Sequence, residues 1–239
     1  KALKYPSLLK AIATIGHMDY FTTKPRFEKL ARYSQIEKKD DLILYNGSNI
    51  YPKDIENIFG IKNPPKNEYR NQILEDAKSL YPNNLRRQAL YFDQHTYLCS
   101  LLDRNDRCTM GASIECREPF LDQRLIAGLG SLDDKWLLKE KKWKYILKSA
   151  MKERLPEEIM KFKKVGLSVP WGDYLIKSPG FIEELESFSK SDLFRMPYFE
   201  SIDAKKLVLN LRKGDTKMIP YIMPLFMMHI WLKNYTTQF

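Results

Sequence analysis

DRCTMGASIECREPFLDQRL, Asp106 to Leu125, is the stretch from which the rest of the chain is read. Charges of both signs, Arg107, Glu115, Arg117, Glu118, Asp122 and Arg124, sit among Met110, Ile114, Phe120 and Leu121 with neither helical nor strand spacing between the signs. Folding that apolar set inward draws several charges toward the interior, where each needs a partner or a function. Pro119 lacks a backbone donor and restricts Glu118, so the spacing predicts a helix that starts at Leu101, ends near Arg117 and gives way to a turn. Asp122 then stands where it can cap the next short helix. On this reading Glu115 lies in the last helical turn before the corner. The residues alone leave two accounts of it: a structural ion-pair corner, with Arg117 or Arg107 as the partner, or a carboxylate placed for chemistry.

The chain around this stretch has 239 residues, 44% of them hydrophobic and 13% aromatic, enough for a real core in one large or two small domains. No apolar run approaches the roughly 20 residues that span a bilayer, and the lysine-studded start lacks the apolar region of a signal peptide. The expected compartment is therefore cytoplasmic, with no membrane partner. Cys99, Cys108 and Cys116 lack metal-ligand spacing and read as reduced core thiols, with no metal site among them. The formal charge of +10 is concentrated between Lys135 and Lys164, where eleven Lys or Arg face four Glu, a local net charge of +7. A basic run of this kind reads as a solvated face, and no nucleic-acid partner is expected.

Working outward, the periodicity is helical. Pro6 opens a helix through Leu8, Leu9, Ile12 and Ile15 that Gly16 stops. Asp41 to Tyr45 reads as a strand or as a buried helical turn. Tyr69, Ile73, Leu74, Ala77 and Leu80 form a helical face between the loop at Asn63 to Pro65 and Pro82. Leu85, Ala89, Phe92 and Leu98 form another, on which His95 reads as a hydrogen-bonded structural residue. Leu125 to Leu129 make a short helix ended by Gly130. Asp133 or Asp134 then precedes a helix with Trp143, Ile146, Leu147, Ala150 and Met151 on one face, stopped by Pro156. After a further turn through Ile159, Lys161, Lys163 and Lys164 occupy a loop before Gly166, and Pro170 starts the next helix. Asp203 to Arg212 reads as a helix capped by Asp203 and closed by Gly214. Ile219, Ile222, Met223, Phe226, Met227, Ile230 and Trp231 describe a C-terminal helix despite Pro220 and Pro224, with its methionines in the core. The expected fold class is mainly α.

The segment HTYLCSLLDRNDRCTMGASIECREPFLDQRLI resembles the most recognisable block in the C-terminal half of glutamine-dependent asparagine synthetases and their relatives. Those proteins carry DR-x-(S/T)-M-x-x-S-(L/I)-E-x-R-x-PFLD-x-(R/K)-(L/F/I), matched here by Asp106, Arg107, Thr109, Met110, Ser113, Ile114, Glu115, Arg117, Pro119, Phe120, Leu121 and Asp122. A second anchor, K-x-G-(F/L)-x-VP, is matched by Lys164, Gly166, Leu167, Val169 and Pro170. The resemblance covers about Tyr91 to Tyr174 and, through a Trp-containing apolar ending, Ile219 to Leu232. Cys99, where proline is common, and Glu118, where a small apolar residue is usual, depart from the pattern.

What the resemblance implies is an ATP-dependent amide ligase that makes an acyl-adenylate, most directly asparagine from aspartate with ammonia supplied by a glutaminase domain. It assigns catalysis to Glu115 and Lys164, with Arg107, Arg117 and Asp122 in support, and leaves a homodimer open. It also implies that 1–239 is the helical C-terminal part of an adenine-nucleotide α-hydrolase-like (PP-loop) synthetase domain, the parallel sheet lying upstream. The SGG-x-DS pyrophosphate loop and the G-x-DE-x-x-GGY segment, which hold ATP and Mg²⁺ in the family, are not in this sequence, and Lys1 to Tyr5 resembles the stretch just downstream of the latter. The expectation is a fragment of a longer protein whose Mg²⁺ ligands lie upstream. The alternatives are the same chemistry on another carboxylate, as in β-lactam synthetases, peptide cyclases or sugar-acid amidotransferases, and a non-catalytic basic helical binding module.

Overall fold

The computed structural model describes residues 36, 38, 40–45, 48, 50–62, 64–139, 142–162 and 169–235. The helix expected from Pro6 to Gly16 and the lysine loop at 163–166 lie outside the described residues. In chain order the α-helices among the described residues are α1 (Asp41–Leu44), α2 (Pro52–Phe59), α3 (Glu68–Leu80), α4 (Leu85–Asp93), α5 (Cys99–Met110), α6 (Gln123–Gly130), α7 (Asp134–Leu137), α8 (Tyr145–Met151), α9 (Glu157–Lys161), α10 (Trp171–Lys177), α11 (Pro179–Phe188), α12 (Ala204–Arg212) and α13 (Ile219–Tyr235). A π-helical turn, Gln94–Leu98, follows α4. Strand structure among the described residues is limited to an antiparallel pair of two-residue strands, β1 (Leu138–Lys139) and β2 (Lys142–Trp143). The mainly helical expectation holds. No described helix is long and apolar enough to cross a membrane.

The chain divides into two compact units, one made of residues up to Cys99 together with Pro170 onward, the other of Ser100–Val169. In the first, local signals set the helix ends. Asn67 Oδ1 accepts from the Arg70 amide at 3.0 Å to start α3, Asn84 Oδ1 from the Arg87 amide at 3.1 Å to start α4, and Asp203 Oδ1 from the Lys206 amide at 2.9 Å to start α12. Asp41 to Leu44 is a helical turn rather than a strand, with Ile43 buried against Ile73, Leu74 and Phe92. His95 has the structural role expected of it. Its Nδ1 lies 2.9 Å from the Tyr91 carbonyl and its ring stacks on Tyr91 at 4.0 Å.

The main core gathers Phe59, Leu175, Leu185, Phe188, Leu193, Leu207, Leu211, Ile222 and Phe226 from α2, α10, α11, α12, α13 and the 3-10 helix Asp192–Arg195. Ser201 Oγ donates to the Phe59 carbonyl at 2.9 Å and so ties α2 to the approach to α12. Pro224 sits inside α13, close enough to its start that it forfeits one ladder bond without ending the helix. The α13 stripe is corrected in detail. Ile222, Leu225, Phe226 and His229 are buried, whereas Met227, Met228 and Trp231 are exposed, so these two methionines are not core.

The single helix expected after Asp134 is also corrected: α7, the β1–β2 pair and α8 replace it, with Leu138 opposite Trp143. A continuous helix would have set the lysines of 139–148 at three- and four-residue spacings on one surface, where like charges repel. Lys144 instead adopts a left-handed φ of 56°, and the Lys139 ammonium lies over the Trp136 and Tyr145 rings at 4.7 and 5.0 Å. Packing in the first unit should be sensitive to Phe188, whose ring is fully buried. Phe188→Ala is expected to lower unfolding stability by about 3–5 kcal/mol, read as a fall in the urea midpoint without a change in slope.

Candidate functional site

The position of Glu115 is decided by how α5 ends. The Ile114 amide donates to the Thr109 carbonyl at 3.0 Å and the Ser113 amide to the Met110 carbonyl at 2.9 Å, with Ser113 at φ 59°. These are the two bonds of a Schellman closure, with serine in the left-handed position usually given to glycine. The helix stops at Met110, well short of Arg117, and residues 114–118 are not helical. The expected helix end is therefore corrected. The carbonyls of the last turn are satisfied by the chain folding back on itself, so the helix is already closed before Pro119 can end it.

Glu118, in an extended conformation, leads into the 3-10 turn Pro119–Leu121. Asp122 caps α6 as expected, its Oδ1 accepting from the Arg124 amide at 2.9 Å and the Leu125 amide at 3.4 Å. The Arg124 guanidinium donates to both oxygens of the same carboxylate at 3.1 and 3.0 Å. These bonds, the side chain of Arg124 first, hold the Asp122 carboxyl below the usual carboxylate range.

Of the two proposed partners, Arg117 is the one that meets Glu115, with Nε and Nη2 each 2.9 Å from Oε1. Arg107 turns back along α5 to Asp103 at 2.9 Å. Glu118, noted from sequence only as a departure, proves to be an anchor. Its Oε1 accepts from Asn105 Nδ2 of α5 at 3.3 Å and from the Cys116 thiol at 3.4 Å. No periodicity signals a contact across 13 positions, which is why Asn105 was not legible. The bond to Glu118 pushes the Cys116 thiol above its ordinary value, which keeps it protonated and a poor nucleophile.

Two expectations about this block are overturned. Its charges are not drawn inward: the Glu115 and Arg117 side chains are 66% and 85% exposed, and no described residue of 100–169 is buried. The three cysteines are free but exposed rather than in a core. The short elements of this unit do not set one apolar layer against another, so Met110, Ile114 and Phe120 remain at the surface beside the charges. An ion pair this exposed contributes about 0–1 kcal/mol, so stabilising the corner is a weak reason for Glu115 to be there. Lys164 lies outside the described residues, and Lys161 pairs with Glu157 at 2.7 Å. Among the described residues no three of His, Cys, Asp or Glu converge as metal ligands, so they do not fit a Mg²⁺ site.

The model of the family described as asparagine synthase matches residues 11–233. The chain belongs to the asparagine synthase family. Over 79 residues it is 38% identical to asparagine synthetase (glutamine-hydrolyzing) 3 of Bacillus subtilis (strain 168), a match that takes in 33% of this chain and 13% of that protein. It is 35% identical over 81 residues to asparagine synthetase (glutamine-hydrolyzing) 1 of the same organism, covering 34% of this chain and again 13% of the relative. No solved structure matches the chain. The asparagine synthase match runs through both compact units, so Ser100–Val169 lies within the matched region.

Asp122→Ala is expected to fray the first turn of α6, seen as faster amide exchange at residues 124 and 125. The sign of the pH dependence follows from the depressed folded pKa. The cap contributes fully above the usual carboxylate range and is lost as pH falls below it, so acidification should reproduce the alanine phenotype in the unsubstituted chain.

Proposed function

We propose that this chain acts within an ATP-dependent amide ligase that makes asparagine from aspartate through an acyl-adenylate, with ammonia derived from glutamine, in the cytoplasm. The observation that carries this reading is the family match over 11–233, inside which the Glu115 and Lys164 blocks occur in order. In the first step a carboxylate oxygen of the substrate attacks the α-phosphorus of ATP and pyrophosphate leaves. In the second, ammonia attacks the acyl carbon, loses a proton, and AMP departs.

Each residue has a role suited to its chemistry. Lys164 brings a compact ammonium whose rotatable donors follow phosphate and acyl oxygens as negative charge shifts between them. Glu115, paired with the Arg117 guanidinium 2.9 Å away, orients ammonia and accepts the proton it sheds. Asn105 and Glu118 hold the segment that presents Glu115, and Asp122 fixes the turn beyond it. The described residues supply no ligand set for Mg²⁺.

The test uses the full-length protein. Lys164→Ala should lower both ATP–pyrophosphate exchange and amide synthesis by about 10²–10³-fold, the usual effect of removing one preorganised oxyanion donor. Glu115→Gln should leave exchange nearly intact and lower amide synthesis by about 10²–10⁴-fold, since the amide keeps the size of the side chain but cannot take a proton. A Glu115→Gln protein with full synthesis and a lowered melting temperature would mean that Glu115 serves the structure alone. Competing aspartate with other carboxylates in the exchange assay identifies the acid that is activated. The 239-residue chain by itself, whose sequence has no SGG-x-DS loop, should show no exchange.

A further inference from the structure

The C-terminal helix is held by a row of polar groups that the ligase chemistry does not use. His229, buried on α13, has Nε2 3.0 Å from Glu184 Oε1 of α11 and Nδ1 2.9 Å from Ser191 Oγ. Lys233, one turn further along α13, donates to both Glu184 oxygens at 2.9 Å, and Ser191 Oγ accepts from the Leu193 amide at 3.2 Å. The donor and acceptor roles follow from the chemistry. An ionised carboxylate only accepts, so Nε2 carries the proton. The other ring nitrogen, Nδ1, then faces the Ser191 hydroxyl at hydrogen-bond distance. Each linked group is satisfied in one orientation. Phe188 and Phe226 lie against the imidazole with centroids 5.9 and 6.4 Å away, which keeps the ring from turning out to water. A broken link would therefore leave a buried polar group unpaired, which costs more than the bond itself contributed.

Glu184 is where protons reach this row. Its side chain is 23% exposed, against 7% for His229, and it is the shared acceptor of both α13 donors. Protonating it removes the charge that Lys233 faces and puts a hydrogen where Nε2–H or Lys233 donates. The other charged groups on elements packed against α13 have their own partners or face water: Asp192 pairs with Arg195, Glu186 pairs with Arg212, and Lys217 is exposed on the 3-10 helix Thr216–Met218.

We propose that Glu184, His229 and Lys233 form a proton-operated latch on the C-terminal helix, closed while Glu184 is ionised and released when Glu184 takes up a proton. The direction follows from linkage. Lys233 foremost, with His229, lowers the Glu184 pKa in the folded chain, so the latch contributes fully above the unfolded carboxylate range and is lost as pH falls through the folded value. The row makes α13 a separately releasable element, although it shares its core with α11 and α12.

Hydrogen exchange of the full-length protein from pH 7 to 3, corrected for intrinsic rates, tests this. Amides of residues 225–235 should lose protection before those of α3, which packs in the other core cluster of the same unit. Glu184→Gln should open α13 on the order of tenfold more often at pH 7 and abolish its separate pH dependence. Lys233→Met, on the exposed side of the row, leaves the core and the His229–Glu184 bond in place and should move release to higher pH. The proposal is overturned if α13 and α3 lose protection together, if Glu184→Gln keeps the unsubstituted pH profile, or if Lys233→Met leaves the release pH unchanged.

Discussion

The larger unit depends on one aromatic contact set. The Phe188 ring, at the end of α11, lies 5.2 Å from Phe194, 5.8 Å from Phe226 and 5.9 Å from His229, meeting all three at steep, edge-on angles. Such pairs add to area burial because the positive edge of one ring meets the negative face of another. Through them α11, the following 3-10 helix and α13 share one interior, and Leu211 of α12 and Phe59 of α2 complete it. Short helices with local caps are marginal alone, and it is this shared burial that makes them persist. The polar row at Glu184 and His229 sits directly against the same rings, so ring packing and hydrogen bonding position α13 together.

The segment 100–169 is organised by a different kind of constraint. With no described residue buried, geometry there comes from the backbone and from short-range polar contacts: the left-handed Ser113, the Asn105–Glu118 bond, Pro119 and the Asp122 cap. These devices fix the path of the chain over a few residues and are individually small. They suffice to present Glu115 with its guanidinium partner on a defined turn while leaving both groups in water. A carboxylate so exposed is accessible to another molecule, which a buried structural ion pair would not be.

Local chemistry was legible wherever it acts within a turn of helix. Asp122 and Asp203 announce helix starts because a short side-chain oxygen reaches amides two or three residues on, and Gly214 closes α12 with a φ of 89°. The helical spacing of Ile73, Leu74 and Ala77 announces a buried face for the same reason of fixed pitch, although Tyr69 and Leu80, read on the same face, are exposed. Illegible features were those with a competing local solution or a distant partner. Ser113 adopts the left-handed turn that nothing in its side chain demands, Lys139 prefers two aromatic faces to a helical row of lysines, and Glu118 finds Asn105 across a gap that no repeat spans.

By itself, then, the amino-acid sequence determined a mainly helical chain, the caps at Asp122 and Asp203, and the ordered block from Asp106 to Asp122 that places it among the asparagine synthases. Only the tertiary structure decided which apolar residues are inside. Leu225 and His229 are buried while Met227 and Trp231 on the same helix are not, and Met110 and Phe120 stay at the surface although the pattern called for a core. The physical reason is that a cap or a turn is settled by atoms a few bonds apart, whereas burial is settled by whatever surface happens to face the residue, and that surface comes from elsewhere in the chain.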